Sequence, residues 1–146
     1  MKKLVASLLA IVMACSMLTA CGGNANGVKV VEIDLTQEEY AFGVDKTQPE
    51  LLEKTNAFID KIMEDGTFEA ICNNYFGDGT PVPVKSAALD ETKDQLVVAT
   101  NAAFEPFEFM DGEDYVGIDM EIAAALAEYL GQELVIVNMS FDAVCL

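Results

Sequence analysis

The residues with most chemical potential lie in the stretch TNAAFEPFEF, residues 100–109. A short apolar run, QLVVAT, ends there, and Asn101, Phe104, Pro106 and Phe107 follow in quick succession. Loops of open α/β sheets converge at the carboxyl ends of their strands, so an amide placed directly after a strand can hold a polar group there. An aromatic three residues on can supply a flat apolar wall. On spacing alone two readings stand: a ligand site, or an Asn101 that merely ends the strand with Phe104 packed in the core. Phe141, in SFDAV, carries the same pair of readings, while Pro106 and Phe107 read as structural. Glu105 and Glu108 invite an acid–base interpretation, but their spacing implies no shifted pKa, and solvated carboxylates are expected. The acidic DGED, residues 111–114, lacks the spacing of a calcium loop and reads as a hairpin tip.

Other chemistries are excluded by composition. The sequence has no histidine, which removes Ser-His-Asp and Cys-His nucleophile systems and His-based metal sites. Its eight basic residues are all lysines, so no arginine is present to clamp a carboxylate with two parallel bonds. No glycine-rich phosphate loop, cofactor motif or metal motif occurs. Of the four cysteines, Cys72 and Cys145 are far apart and outside any CxxC pattern. Cys72 falls on an apolar helical stripe and is expected to be a small buried hydrophobe.

The elements that must position the site follow from periodicity. The stretches VKVVEIDL (28–35) and EYAFGV (39–44) read as strands. Pro49 suits the first turn of a helix capped by Thr47; Leu51, Leu52, Phe58, Ile59, Ile62 and Met63 recur at helical spacing, and Gly66 supplies the left-handed stop. Thr67 opens a second helix in which Phe68, Ile71, Cys72, Tyr75 and Phe76 share a face, ended by Gly77. Residues 78–95, with two prolines and no period, read as a linker. Beyond it come a strand at LVVAT and a hairpin at FEFMDGEDYVG around an Asp-Gly signal. A helix follows, with Ile118, Ile122, Ala125, Leu126 and Tyr129 on one stripe and Gly131 as its stop, and then a second buried strand, ELVIVNM. Strand, helix and strand of this length form a βαβ unit with parallel pairing. Ser140 can cap a further helix.

The first 20 residues read as an export signal, with Lys2 and Lys3 ahead of the apolar run Leu4–Leu18, too short to span a bilayer. LTAC, Leu18–Cys21, matches the bacterial lipoprotein box, which makes Cys21 the lipid attachment site and residues 21–27 a flexible tether. Removing Lys2 and Lys3 takes the formal charge from −17 to −19. Such acidity repels phosphate backbones and argues against nucleic acid.

The stretch LVVATNAAFEPFEFMDGEDYVGIDMEIAAALAEYLGQELVIVNMSFDAV resembles the N-terminal part of extracellular solute-binding proteins that serve polar amino acid ABC importers. EEYAFGVDKTQPELLEKTNAFIDKIMEDGTFEAICNNYFG resembles their C-terminal part. The resemblances cover residues 28–77 and 96–146, with the ending placed before a truncated beginning. They imply a partial lobe of a periplasmic-binding-protein-like (type II) α/β fold: a βαβ unit plus two packed helices in permuted order. The second lobe and one sheet strand would be missing, leaving an exposed strand edge.

The resemblance also implies that Asn101, Phe104 and Phe141 bind the ligand, that no catalysis occurs, and that no cofactor or metal is needed. Expected partners are a small amino acid, a membrane permease, and the membrane itself through the lipid anchor, outside the cytoplasm. The family's carboxylate-binding arginine would lie beyond Leu146, so affinity would be poor. Alternatives are a ligand-independent interaction or sensor lipoprotein, or an enzyme on the same fold such as a dehydratase, which would need acid residues not visible here.

Overall fold

The computed structural model describes Ile33 and residues 39–144. The signal, Cys21, the tether at 21–27 and Cys145 lie outside the described residues, as does the 28–35 stretch apart from Ile33, which sits in a bend. The chain divides into two units, 1–41 and 42–146, and every helix and strand described below belongs to the second.

Residues 39–44 form no strand. A short apolar segment becomes a strand only with a neighbouring ladder to bond, and no described strand runs beside this one. Helix α1, Pro49–Glu64, begins as expected with proline in its first turn, but Gln48 is its N-cap and makes no side-chain capping bond. Thr47 is diverted: its N–H and hydroxyl both donate to Asp45 Oδ1, at 2.7 Å each. Phe58 and Ile62 are buried, whereas Leu52 and Met63 of the same predicted stripe are exposed, because six residues at that spacing span a wider arc than the core contacts. Gly66, at φ +82°, makes the left-handed turn into helix α2, Thr67–Phe76, whose terminal Phe76 lies beyond the packed face and is exposed. Cys72 is a free thiol of intermediate burial on that helix.

Strand β1, Gln95–Thr100, pairs in parallel with strand β5, Glu133–Asn138, in the register Leu96 to Leu134 and Thr100 to Asn138. Helix α3, Ile118–Leu130, crosses between them, which completes the βαβ unit. It ends in a Schellman motif: Gly131, at φ +72°, donates to Glu128 O, and Gln132 donates to Ala127 O. Ahead of it stands a small antiparallel sheet of β2 (Ala103–Phe104), β3 (Glu108–Asp111) and β4 (Asp114–Val116). Gly112, at φ +64°, occupies the first central position of the β3–β4 turn, as a type II′ hairpin requires. A short helix α4, Phe141–Val144, follows β5.

One core joins the elements. Phe58, Ile62 and Ile71 from α1 and α2 pack in the same cluster as Leu96, Leu134 and Ile136 of the sheet and Ile118, Ile122 and Leu126 of α3. Each such side chain contributes roughly 1.5–3 kcal/mol on burial. Helix α3 is buried more widely than its single predicted stripe, since Met120, Ala123 and Ala127 are also enclosed, while Tyr129 is 45% exposed and rests its ring on Phe58 at 5.5 Å.

The segment read as a linker is bound to this core without regular structure. Val84 is buried and bridges Tyr115, Ala87 donates to Leu134 O, and Ser86 Oγ accepts from Ile136 N at 2.8 Å. Residues 84–87 therefore strap the outer side of β5. Among the described residues no strand pairs with the other side of the sheet. Met139 N–H donates to Thr100 O, so Leu96, Val98 and Thr100 turn their backbone groups toward β5, and Gln95, Val97 and Ala99 turn theirs to the free edge. Among the described residues the unpaired flank of the sheet is therefore that of β1.

Candidate functional site at the strand ends

At the carboxyl ends of β1 and β5 two side-chain amides tie the loops together reciprocally. Asn101 Nδ2 donates to Met139 O at 2.9 Å, and Asn138 Oδ1 accepts from Ala102 N at 3.0 Å. Asn101 therefore does more than end the strand, and among the described residues no donor bonds its side-chain Oδ1, which is placed to accept a bond from elsewhere. Sequence reading missed Asn138. Its signal was the parallel register, which sets an amide at the end of β5 beside Thr100, one residue before Asn101.

Phe104 is not in the core: it is 55% exposed and stacks on Phe107 with ring centroids 5.5 Å apart and planes at 18°. Phe107, half-buried, packs against the core as expected and backs the exposed ring. The result is a platform with one open aromatic face, able to hold an apolar group or a cation. Phe141 on α4 is 79% exposed, so its core reading also fails. Asn101, Phe104 and Phe141 thus all lie in the segments that follow β1 and β5, Phe104 in the short strand β2 and Phe141 at the start of α4, and none is enclosed. A cavity of 720 Å³ lies at the opposite end of β1, between Asp94–Val97, the start of α1 and the end of α3. Another, of 300 Å³, opens between α1 and α3 beside Phe58 and Tyr129.

Behind the platform the acidic residues are organised in a way the sequence did not suggest. Glu108 pairs with Asp119 of α3 rather than with Glu105. Burial, followed by the charge of Asp119 and its hydrogen bond, pushes the Glu108 carboxyl up to about 7. Burial also raises Asp119, partly offset by its bond to Glu108. The expectation of ordinary solvated carboxylates therefore fails at Glu108, because a fold that brings β3 against the first turn of α3 partly shields both groups from water.

A second carboxylate, Glu121, is 8% exposed and holds three donors: Tyr75 OH at 2.6 Å, Val82 N at 2.8 Å and Asn74 Nδ2 at 2.9 Å. Tyr75 in turn accepts from Gly117 N, and burial with the Glu121 bond raises its phenol pKa. This network fastens α2 and residue 82 to the start of α3. Among the described residues no group of acidic, histidine or cysteine side chains could hold a metal ion, and no helix is long and apolar enough to cross a membrane.

Residues 96–145 match the model of the bacterial extracellular solute-binding proteins, family 3, a family of non-catalytic binding proteins. The chain is also 38% identical over 57 residues to the arginine-binding extracellular protein ArtP of Bacillus subtilis, a match covering 39% of this chain and 22% of that one. It is 38% identical over 58 residues to the probable ABC transporter arginine-binding protein ArtJ of Chlamydia trachomatis, covering 39% and 23%. The chain thus spans less than a quarter of the length of the curated relatives it matches. No solved structure gives a significant match. The βαβ arrangement with its packed helices is consistent with a lobe of a periplasmic-binding-protein-like (type II) fold.

Proposed function

We propose that this protein is a substrate-binding lipoprotein of an ABC importer for polar amino acids, acting without catalysis outside the cytoplasm. The observation that carries the reading is the coincidence of the family match at residues 96–145 with Asn101, Phe104 and Phe141 in the segments that follow the β1–β5 strands. In this reading Asn101 Oδ1 accepts from the ligand's ammonium group and Phe104 provides the wall for its side chain. Phe141 borders the same cleft. Cys21 carries the lipid, a permease in the membrane receives the ligand, and residues 28–77 stand for the family's C-terminal part in permuted order.

Both relatives have arginine-binding names, so L-arginine heads the panel of ligands for calorimetric titration. A site open on this side and without a guanidinium clamp should give saturable heat with a Kd no tighter than ~10 μM, because little of the ligand is desolvated. Absence of heat with every amino acid at millimolar concentration would sink the ligand-binding reading and favour an interaction lipoprotein instead.

A further inference from the structure

The loop carrying Phe104 is fixed to helix α3 by a close approach of backbones. Gly117 sits at φ +138°, and a Cβ there would collide with the Phe107 carbonyl. Ile118 N–H donates to Pro106 O at 3.1 Å and Asp119 N–H to Phe107 O at 2.9 Å. The next residue, Glu108, stands opposite Phe104 in the β2–β3 ladder, and its carboxyl hydrogen-bonds that of Asp119. Ionised carboxylates only accept, so this bond requires a proton on one of them. Asp119 lies in the first turn of α3, where the helix dipole favours its anion. The proton therefore resides on Glu108, which donates.

The surrounding groups supply no substitute for that proton. From α3, the Glu121 carboxylate is committed to Asn74, Tyr75 and Val82. From β4, Asp114 lies 3.6 Å from Lys85. Glu105 in the β2–β3 connection and Asp111 at the end of β3 are both exposed. Among the described residues no lysine forms an ion pair with Glu108 or Asp119.

We propose that Glu108 and Asp119 form a proton-dependent latch: sharing a proton, they hold the 101–108 loop on the first turn of α3, and when both ionise their repulsion frees the Phe104 platform. The folded protein keeps a proton near pH 7 that an unfolded chain releases near 4.5, so the latch is complete in acid and is lost as pH rises through about 7. Its consequence for ligand affinity rests on the binding-site reading above; the latch itself does not.

Amide hydrogen exchange on the full chain, corrected for intrinsic rates, tests it between pH 6 and 8.5. Protection at Phe107, Ile118 and Asp119 should fall on the order of tenfold across that range in the natural protein. Glu108→Gln, whose amide can donate to Asp119 at every pH, should show a flat profile. Equal pH dependence in both proteins, or none in the natural one, overturns the latch. If Glu108→Gln fails to fold, carbon NMR of the Glu108 carboxyl decides: a midpoint near 7 supports the latch, and one below 5 overturns it. None of these measurements reads ligand, so they fail or succeed independently of the binding titration.

Discussion

At the scale of single residues, Thr55 is the outlier. It is 3% exposed on the inner face of α1, and its hydroxyl has no hydrogen-bond partner among the described residues. A buried hydroxyl without a partner has lost its water and gained nothing, so Thr55→Val, of nearly the same shape, should stabilise the protein by about 1 kcal/mol. Urea unfolding measures this, and a variant no more stable than the parent would show that the hydroxyl is satisfied. Glu121 is the opposite case, since its three donors leave it fully engaged. Neither residue was legible in the sequence. A threonine and a glutamate at helical positions look like surface residues until tertiary packing closes over them, and the glutamate's donors come from 39 to 47 positions away. Asn101 and Phe104 were legible as candidates because both follow directly on a strand end, a local signal. Asn138 and Asp119 were not, because each acts through a partner on another element.

Elements were read well where their signals were local and less well where they depended on neighbours. Gly66, Gly112 and Gly131 mark turns that their positive φ values explain, and the helices and the β3–β4 hairpin lie where periodicity put them. The 39–44 strand failed for want of a ladder, and the 78–95 segment lacked any period yet covers β5, since strapping needs only a few well-placed backbone and hydroxyl groups. The free edge of β1 has its own consequence. QLVVAT contains no charge, proline or glycine, Val97 is 49% exposed, and among the described residues no strand pairs with this edge, so it can template edge-to-edge pairing between molecules. Val97→Lys should leave stability within roughly 0.5 kcal/mol while slowing aggregation of concentrated protein. Light scattering follows this, and an unchanged aggregation rate would clear the edge of responsibility.

For the whole molecule, the titrating groups divide by sign. Asp65, held down to about 2 first by its hydrogen bond to Lys61 and then by Thr67, adds stability above its ordinary value of 3.8 and loses it as pH falls through about 2. Asp45, Asp90 and Glu133 are lowered too, the first two by bonds from Thr47 and Thr92 and the third by Lys93. Glu108 works the other way: its contribution is full below 4.5 and disappears as pH rises through about 7. Repulsion among the 25 acidic residues adds to the loss at higher pH. Stability should therefore be greatest near pH 4–5 and decline toward pH 8, in contrast to the usual optimum at about pH 5–8. Urea midpoints taken across this range check it, and a midpoint that rises from pH 5 to 8 would show that the raised Glu108 is not decisive.

The strap of residues 84–87 has one consequence for how such a sheet is enlarged. Among the described residues one flank of the pair is occupied by this strap, so a third strand would add alongside β1. In the parallel sense its trailing loop would lie beside Asn101 and Phe104, and residues 84–87 thereby decide on which side those two side chains would gain a neighbour.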